Sequence, residues 1–362
     1  MAHLFGTHYS KTDLLMRLGD LSQVAGIRPI ELVNGSERGV RAFHFTTGSG
    51  LSFTVLADRG LDIFDAKYNG WSLCWHSASG AAAPAFYDRH DLGWLWSFYG
   101  GLLVTCGLSQ AGAVNEDGRE SLGLHGRISN IPAQNVSLGG EWRDDDYFLW
   151  LSGEMREGKL FGPNLLLRRT IQCRLGQPKI SLVDEIENQG YQETPFMLLY
   201  HCNMGFPIVD SGSELIAVIE DMKPRDGEAE KGAQIFDTFE NPTSGYKEQC
   251  FYIDHAVNAR GYVQVALVNR RFNNNRGCGV YLSYPKKELP CYTQWKMMGQ
   301  GDYVVGMEPG NCVPEGRASA RGRGVLRMLQ PGEKVKLDIE IGVLDGNEEI
   351  EVFESTLRDI EE

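Results

Sequence analysis

Leu198-Leu-Tyr-His-Cys-Asn-Met-Gly-Phe-Pro207 reads as an apolar strand with two polar side chains set into it. Side chains alternate between the faces of a strand, so His201 and Asn203 share one face. If that face lines a cavity, both point at a ligand. If it lines the core, His201 is a buried histidine with a satisfied partner. Outward from this stretch the chain keeps the same character. Val40–Thr46 and Leu51–Ala57 flank Thr47-Gly-Ser-Gly50, the pattern of a hairpin. Leu61–Tyr68 runs into Asn69-Gly70, a second hairpin-type turn. Tyr147–Met155, Asn164–Arg174, Ile180–Asn188, Thr194–Tyr200, Tyr262–Arg270, Gly279–Tyr284, Asp302–Met307 and Lys334–Val343 continue the β-rich runs. Strands spaced by such turns predict a large all-β sandwich. Helical periodicity is confined to Ser10–Leu21, with Ser10 as N-cap, and Leu92–Tyr99 reads as a short helix or turn.

All-β folds of 362 residues run as single units, and no low-complexity linker divides this chain. The expected division is an N-terminal extension over 1–29, one sandwich domain over 30–345 and an acidic tail or short helix over 346–362. A net charge of −13 argues against nucleic acid as partner, because phosphate binding needs a concentrated positive face. Eight scattered cysteines without a C-x-x-C pair predict reduced thiols. The start lacks a signal-peptide pattern, and no apolar run approaches the ~20 residues of a membrane span. A cytoplasmic protein with no membrane partner is the expectation. The oligomeric state stays open, a homodimer included.

Two further segments set polar residues beside apolar strand sequence. In Leu124-His-Gly-Arg-Ile-Ser-Asn-Ile-Pro-Ala133, His125 precedes a glycine that permits close backbone approach, and Arg127 offers a planar fork of donors. In Asp302-Tyr-Val-Val-Gly-Met-Glu-Pro-Gly310, Glu308 is expected to end a strand, fixed by Pro309. Desolvation there raises a carboxylate's pKa and makes it a better base near neutrality. A structural turn histidine and a surface glutamate are the plainer alternatives.

Taken in order, ADRGLDI (57–63), GGLLVTCGL (100–108), LHGRISNIPA (124–133), YHCNMGFP (200–207) and QWKMMGQGDYVVGMEPGN (294–311) resemble the aldose 1-epimerase, or galactose mutarotase-like, superfamily. The similarity spans roughly residues 30–345 and is nearest to the poorly characterised aldose 1-epimerase-like branch. It implies a single-domain galactose mutarotase-like β-supersandwich with a sugar site on the concave face of its large sheet. It also implies an isomerase. Glu308 would take the proton of the anomeric hydroxyl, His201 would protonate the ring oxygen, and His125 would bind substrate. The family also places an aspartate against the sugar hydroxyls, for which Asp254 fits best and Asp210 and Asp221 compete. Arg59 and Arg127 are both candidates for the sugar-binding arginine, with a structural ion pair as the other reading of Arg59. The upstream GR-x-x-N-R segment of better-known mutarotases is replaced here by Gly100–Gly107, which has no arginine. Asn203 shares the face of His201. Trp295 offers an apolar wall to a sugar face, and Lys296 could meet an anionic substituent.

The expected ligand is therefore a small-molecule carbohydrate, with no cofactor. A non-catalytic sugar-binding or sensing protein on the same fold is the alternative. A lyase or hydrolase ranks last, because a hydrolase needs two carboxylates about the scissile bond. No metal site is expected from Cys/His spacing. Lys223–Gly232 reads as a surface excursion. GRASARGRG over 316–324 reads as a flexible basic loop, near the site mouth or as a phosphate-attracting rim.

Overall fold

The computed structural model describes residues 1–361 and is built on three large antiparallel sheets, with three two-stranded ones beside them. The eight-stranded sheet runs Gln134–Arg143, Asp146–Gly158, Asn164–Arg174, Lys179–Asn188, Lys334–Leu344, Cys278–Pro285, Tyr262–Asn269, Glu214–Ala217 in pairing order. The six-stranded sheet runs Ile219–Pro224, Gln249–His255, Cys291–Met298, Tyr303–Gly310, Met197–Met204, Val104–Leu108. A five-stranded sheet spans Gly26–Glu31 to Trp71–Ser72. The all-β sandwich expected from the sequence is what forms.

Local sequence explains the elements. Lys179–Asn188 alternates strictly between buried and half-buried positions, as a strand with one face on the core must. Met197–Met204 and Tyr303–Gly310 are buried at every position, so each has both faces covered. One continuous core joins Leu167, Leu182 and Ile339 of the large sheet to Leu198, Tyr200 and Met307 of the six-stranded sheet and to Phe53 and Val55 of the third. The opposite face of the six-stranded sheet, through Val104, Met197 and Leu199, packs beneath Trp94, Phe98 and Tyr99. The Asn69-Gly70 hairpin has φ of 48° and 89°, the left-handed pair that a two-residue I′ turn requires.

One guanidinium ties the sheets together. Arg169, from the large sheet, reaches Asp184 Oδ2 on the neighbouring strand at 2.7 Å and Asp62 Oδ1 of the five-stranded sheet at 2.7 Å. It also donates to Thr105 Oγ1 of the six-stranded sheet at 2.9 Å. Tyr200 Oη, from that same sheet, donates to Asp184.

Several sequence expectations change in detail. The Ser10-capped helix stops at Leu15 rather than Leu21, and a separate 3-10 turn covers Leu21–Gln23. Gly26–Glu31, partly inside the expected extension, is a strand of the five-stranded sheet. The acidic C-terminal segment is a helix, Asn347–Glu361. Its Ile350, Phe353 and Leu357 pack on Ala266, Val268 and Tyr281. The basic stretch after Gly316 is a helix as well, Arg317–Gly322. Arg317 and Arg321 pair with Asp117, and Arg323 with Glu315, which explains why this segment presents no bare cationic rim. All eight cysteines are free. Among the described residues no helix is long and apolar enough to cross a membrane.

Candidate functional site

Strand register brings the first two residues together. Leu199 pairs with Gly310 and Cys202 with Met307, which sets His201 across from Glu308 on adjacent strands. The bridging pairs skip the interval between them, where Pro309 has no N–H to give the ladder. Glu308 does not end its strand, which runs on to Gly310. On its other side Glu308 pairs with Thr293, and Gly306 with Trp295. His201, Glu308 and Thr293 thus form one row across three strands, on the face that carries the Trp94 cluster.

His201 Nε2 lies 3.2 Å from Glu308 Oε1, with side chains 7% and 3% exposed. The atoms are close but not aligned as a hydrogen bond, and Glu308 Oε1, His201 Nδ1 and Thr293 Oγ1 are buried without partners. Buried polar groups are nearly always paired, and here three without protein partners stand in one row. Gly306 makes room for the carboxylate: a Cβ there would sit 2.4 Å from Glu308 Oε1. Burial holds the Glu308 carboxyl well above the usual carboxylate range, and nearby Glu248 adds to this. Burial likewise pushes His201 well below the usual imidazole range, with His125 adding to it.

His125 reaches the same place from a loop. Its φ is +56° and that of Gly126 is +74°, and a Cβ on Gly126 would meet the Gln110 carbonyl oxygen at 2.2 Å. Only glycine fits there. The loop is latched to the strand Val104–Leu108, because Gly107 N donates to His125 O and Arg127 N donates to Gly107 O. The His125 and His201 rings stand 5.7 Å apart, edge to face. His125 Nδ1 is also buried without a partner, and burial lowers this imidazole to about 4.

These groups open into a cavity of about 1120 Å³. Trp75, Trp94, Phe98 and Trp295 wall it, and Phe98 and Trp295 flank His201 at 5.1 and 5.4 Å. His125, His201, Trp295 and Glu308 all line it, whereas five other expected residues do not. Arg59 is 1% exposed and spends its guanidinium on the carbonyls of Ala82, Ser97 and Ser129. It holds together the loops that carry the aromatic wall. Arg127 is exposed, away from the cavity. Asn203 is buried and donates to the carbonyls of Gly101 and His201. Lys296 is sealed beneath the sheet against Glu240 and the carbonyls of Ile235 and Thr238. Asp254 is exposed and paired with Lys286.

The cation at the cavity is one the sequence reading placed in a surface excursion. Arg225 lines the rim and pairs with Glu248, whose Oε2 accepts from Trp295 Nε1 at 2.8 Å. Outside the cavity, Asp65, Cys74 and His76 bring three metal-ligating atoms within 4.8 Å of one another. Cys74-x-His76 places two of them two residues apart on one extended segment. Burial raises the Cys74 thiol to about 12, which keeps it protonated unless a cation is bound.

The chain is similar over 94% of its length to a Klebsiella pneumoniae protein provisionally assigned as an aldose 1-epimerase, with 91% of that chain covered, 23% identity and a TM-score of 0.88. A galactose mutarotase-like protein of Clostridium acetobutylicum matches 89% of the chain and 99% of its own, with 12% identity and a TM-score of 0.60. A galactose 1-epimerase of Lactobacillus acidophilus matches 89% of the chain and 100% of its own, with 13% identity and a TM-score of 0.58. At these identities the likeness shows the fold. No curated protein matches the sequence. A family profile does match residues 37–343, from just before the second strand of the five-stranded sheet to the end of the large one. With a shared architecture and a profile over most of its length, the chain belongs to the family described as a domain of unknown function, DUF4432, on a galactose mutarotase-like fold.

Proposed function

We propose that the protein is an aldose 1-epimerase, interconverting the anomers of a sugar by acid/base ring opening. The observation that carries this is the pairing of Glu308 and His201 at 3.2 Å in the cavity wall, across adjacent strands. Ring opening takes one proton from the anomeric hydroxyl and delivers one to the ring oxygen, so it needs two groups that share a proton. In this reading Glu308 accepts the hydroxyl proton as the C1–O5 bond breaks. His201 gives its proton to O5. The aldehyde turns about C1–C2, and the same two transfers run backwards on closure. His125 holds a sugar hydroxyl, and Trp295 and Phe98 cover apolar sugar faces.

The electrostatics suit a shared proton. Burial opposes charge on both partners and so favours the neutral pair, with the proton on the carboxyl. Hydroxyls donating to Glu308 favour its ionised form, and the proton then passes to His201. The likeness to the L. acidophilus galactose 1-epimerase supports the fold-level half of this reading.

Anomer exchange followed by NMR over a panel of aldoses tests it. General acid/base groups contribute about 10²- to 10⁴-fold. Glu308→Gln is expected to lose at least about 100-fold in exchange while keeping fold and binding. His201→Asn is expected to lower turnover more than affinity. Rates in both variants equal to wild type would sink the mechanism. Binding without acceleration in the wild type would move the protein to the sensing reading.

A further inference from the structure

The cavity is larger and more acidic than a lone sugar ring or a sugar phosphate would call for. Pockets for drug-sized ligands run about 300–1,000 Å³, and this one measures about 1120 Å³. Its catalytic row occupies the floor. Its rim carries large apolar residues left open to solvent: Leu92 is 57% exposed, Leu95 50% and Trp96 80%. All three come from one segment: Leu92 precedes the 3-10 turn Gly93–Ser97, whose buried Gly93, Trp94 and Ser97 anchor it while Leu95 and Trp96 face outward. Exposed apolar side chains that continue into a cavity mark a ligand groove rather than scattered surface residues. A tryptophan face there suits the C–H face of a second sugar ring.

The charges point the same way. Among the described residues Arg225 is the one cationic Lys or Arg side chain lining the cavity, against the carboxylates Glu248, Asp302 and Glu308. Each guanidinium nitrogen of Arg225 is already used: Nε on Asp226 at 2.8 Å, Nη1 on Cys250 Sγ at 2.9 Å and Nη2 on Glu248 at 3.0 Å. Even with Glu308 protonated, the wall keeps two carboxylates to one committed arginine. A phosphate or uronate entering would face like charge, and would compete for the Arg225 guanidinium with Asp226, Cys250 and Glu248.

We infer that the ligand is an uncharged reducing oligosaccharide of at least two rings, whose reducing end reaches Glu308 and whose next ring stacks on Trp96 at the rim. This rests on the epimerase reading only for the orientation of the reducing end.

Ligand-observed NMR titration separates the two ideas, because it measures binding without turnover. The panel is neutral pentoses, hexoses and deoxyhexoses, their reducing disaccharides, and phosphorylated and uronate counterparts. The best disaccharide is expected to bind at least about tenfold more tightly than its reducing-end monosaccharide, a gain of one stacking contact. In Trp96→Ala that ratio is expected to fall to within about threefold. Charged counterparts are expected to bind at least about tenfold more weakly than neutral ones. Equal affinity for one and two rings, a ratio unmoved by Trp96→Ala, tighter binding of a phosphate, or no binding of any neutral disaccharide would each overturn the inference. Disaccharide binding without anomer exchange would leave it standing while the epimerase reading fell. Exchange with no length preference would do the reverse.

Discussion

A methyl group at position 306 would lie 2.4 Å from Glu308 Oε1 and 2.9 Å from Trp295 Cβ. The carboxylate folds over a bare backbone, and the tryptophan leans in from the next strand. A displacement of about 1 Å at a reacting group costs about 100-fold in rate. Gly306→Ala is therefore expected to slow anomer exchange by roughly 10- to 100-fold with the β-sheet circular dichroism spectrum kept, and a wild-type rate would refute this. At this scale the sequence was informative but not selective. His201, Glu308, Asn203, Lys296 and Arg59 all appear as polar residues in apolar surroundings. The first two face the cavity, whereas the donors of the other three are consumed by backbone carbonyls or a carboxylate. Residue type cannot separate a donor turned to a cavity from one turned to a carbonyl. Arg225 was missed for the opposite reason. It sits in a charged stretch that resembles loop, and only the pairing of Ile219–Pro224 with Gln249–His255 carries it to the rim.

Elements were more legible than side chains. β-rich runs mark six of the eight strands of the large sheet but not its edge strands Gln134–Arg143 and Glu214–Ala217, and the Asn-Gly and Gly-Ser-Gly turns mark two hairpins that form. The Ser10 helix is shorter than its sequence suggests, since leucines at 14, 15 and 18 mimic a helical stripe while the capped helix ends at Leu15. What periodicity could not show is which strands meet. Arg169 and Asp184 are ordinary alternating positions in sequence, yet both are fully buried and joined to a strand from another sheet through Asp62. Removing one member of a buried, hydrogen-bonded ion group strands its partners without water. Arg169→Met is expected to cost about 3–5 kcal/mol, read from chemical denaturation at pH 7. A loss under about 1 kcal/mol would show that the sheets hold without this contact.

At the scale of the whole molecule, the buried imidazoles and the buried Glu308 carboxyl push the acid response in opposite senses, and His255 shows the imidazole share. His255 is 2% exposed, and burial lowers it to about 4, with Asp254 and Lys286 acting in opposite senses. An unfolded histidine takes its proton near 6.5. At this site the unfolded chain therefore binds more protons between about pH 6.5 and 4, and the His255 contribution to stability rises with pH. The contribution, on the order of 3 kcal/mol, is present above pH 6.5 and lost as pH falls toward 4. His255→Phe is expected to shrink the fall in Tm between pH 7 and pH 4.5, and an unchanged fall would show that other groups govern it. The net charge and the mutarotase-like order of motifs were readable at this scale, because they depend on composition and sequence order. The acidity of one cavity was not, because it depends on which loops converge. A guanidinium shared by three sheets also has a mechanical meaning. Pulling any one sheet away strips the same arginine of its contacts, so the three yield together or not at all. The three sheets thus form a single stiff chassis, braced from within by one side chain.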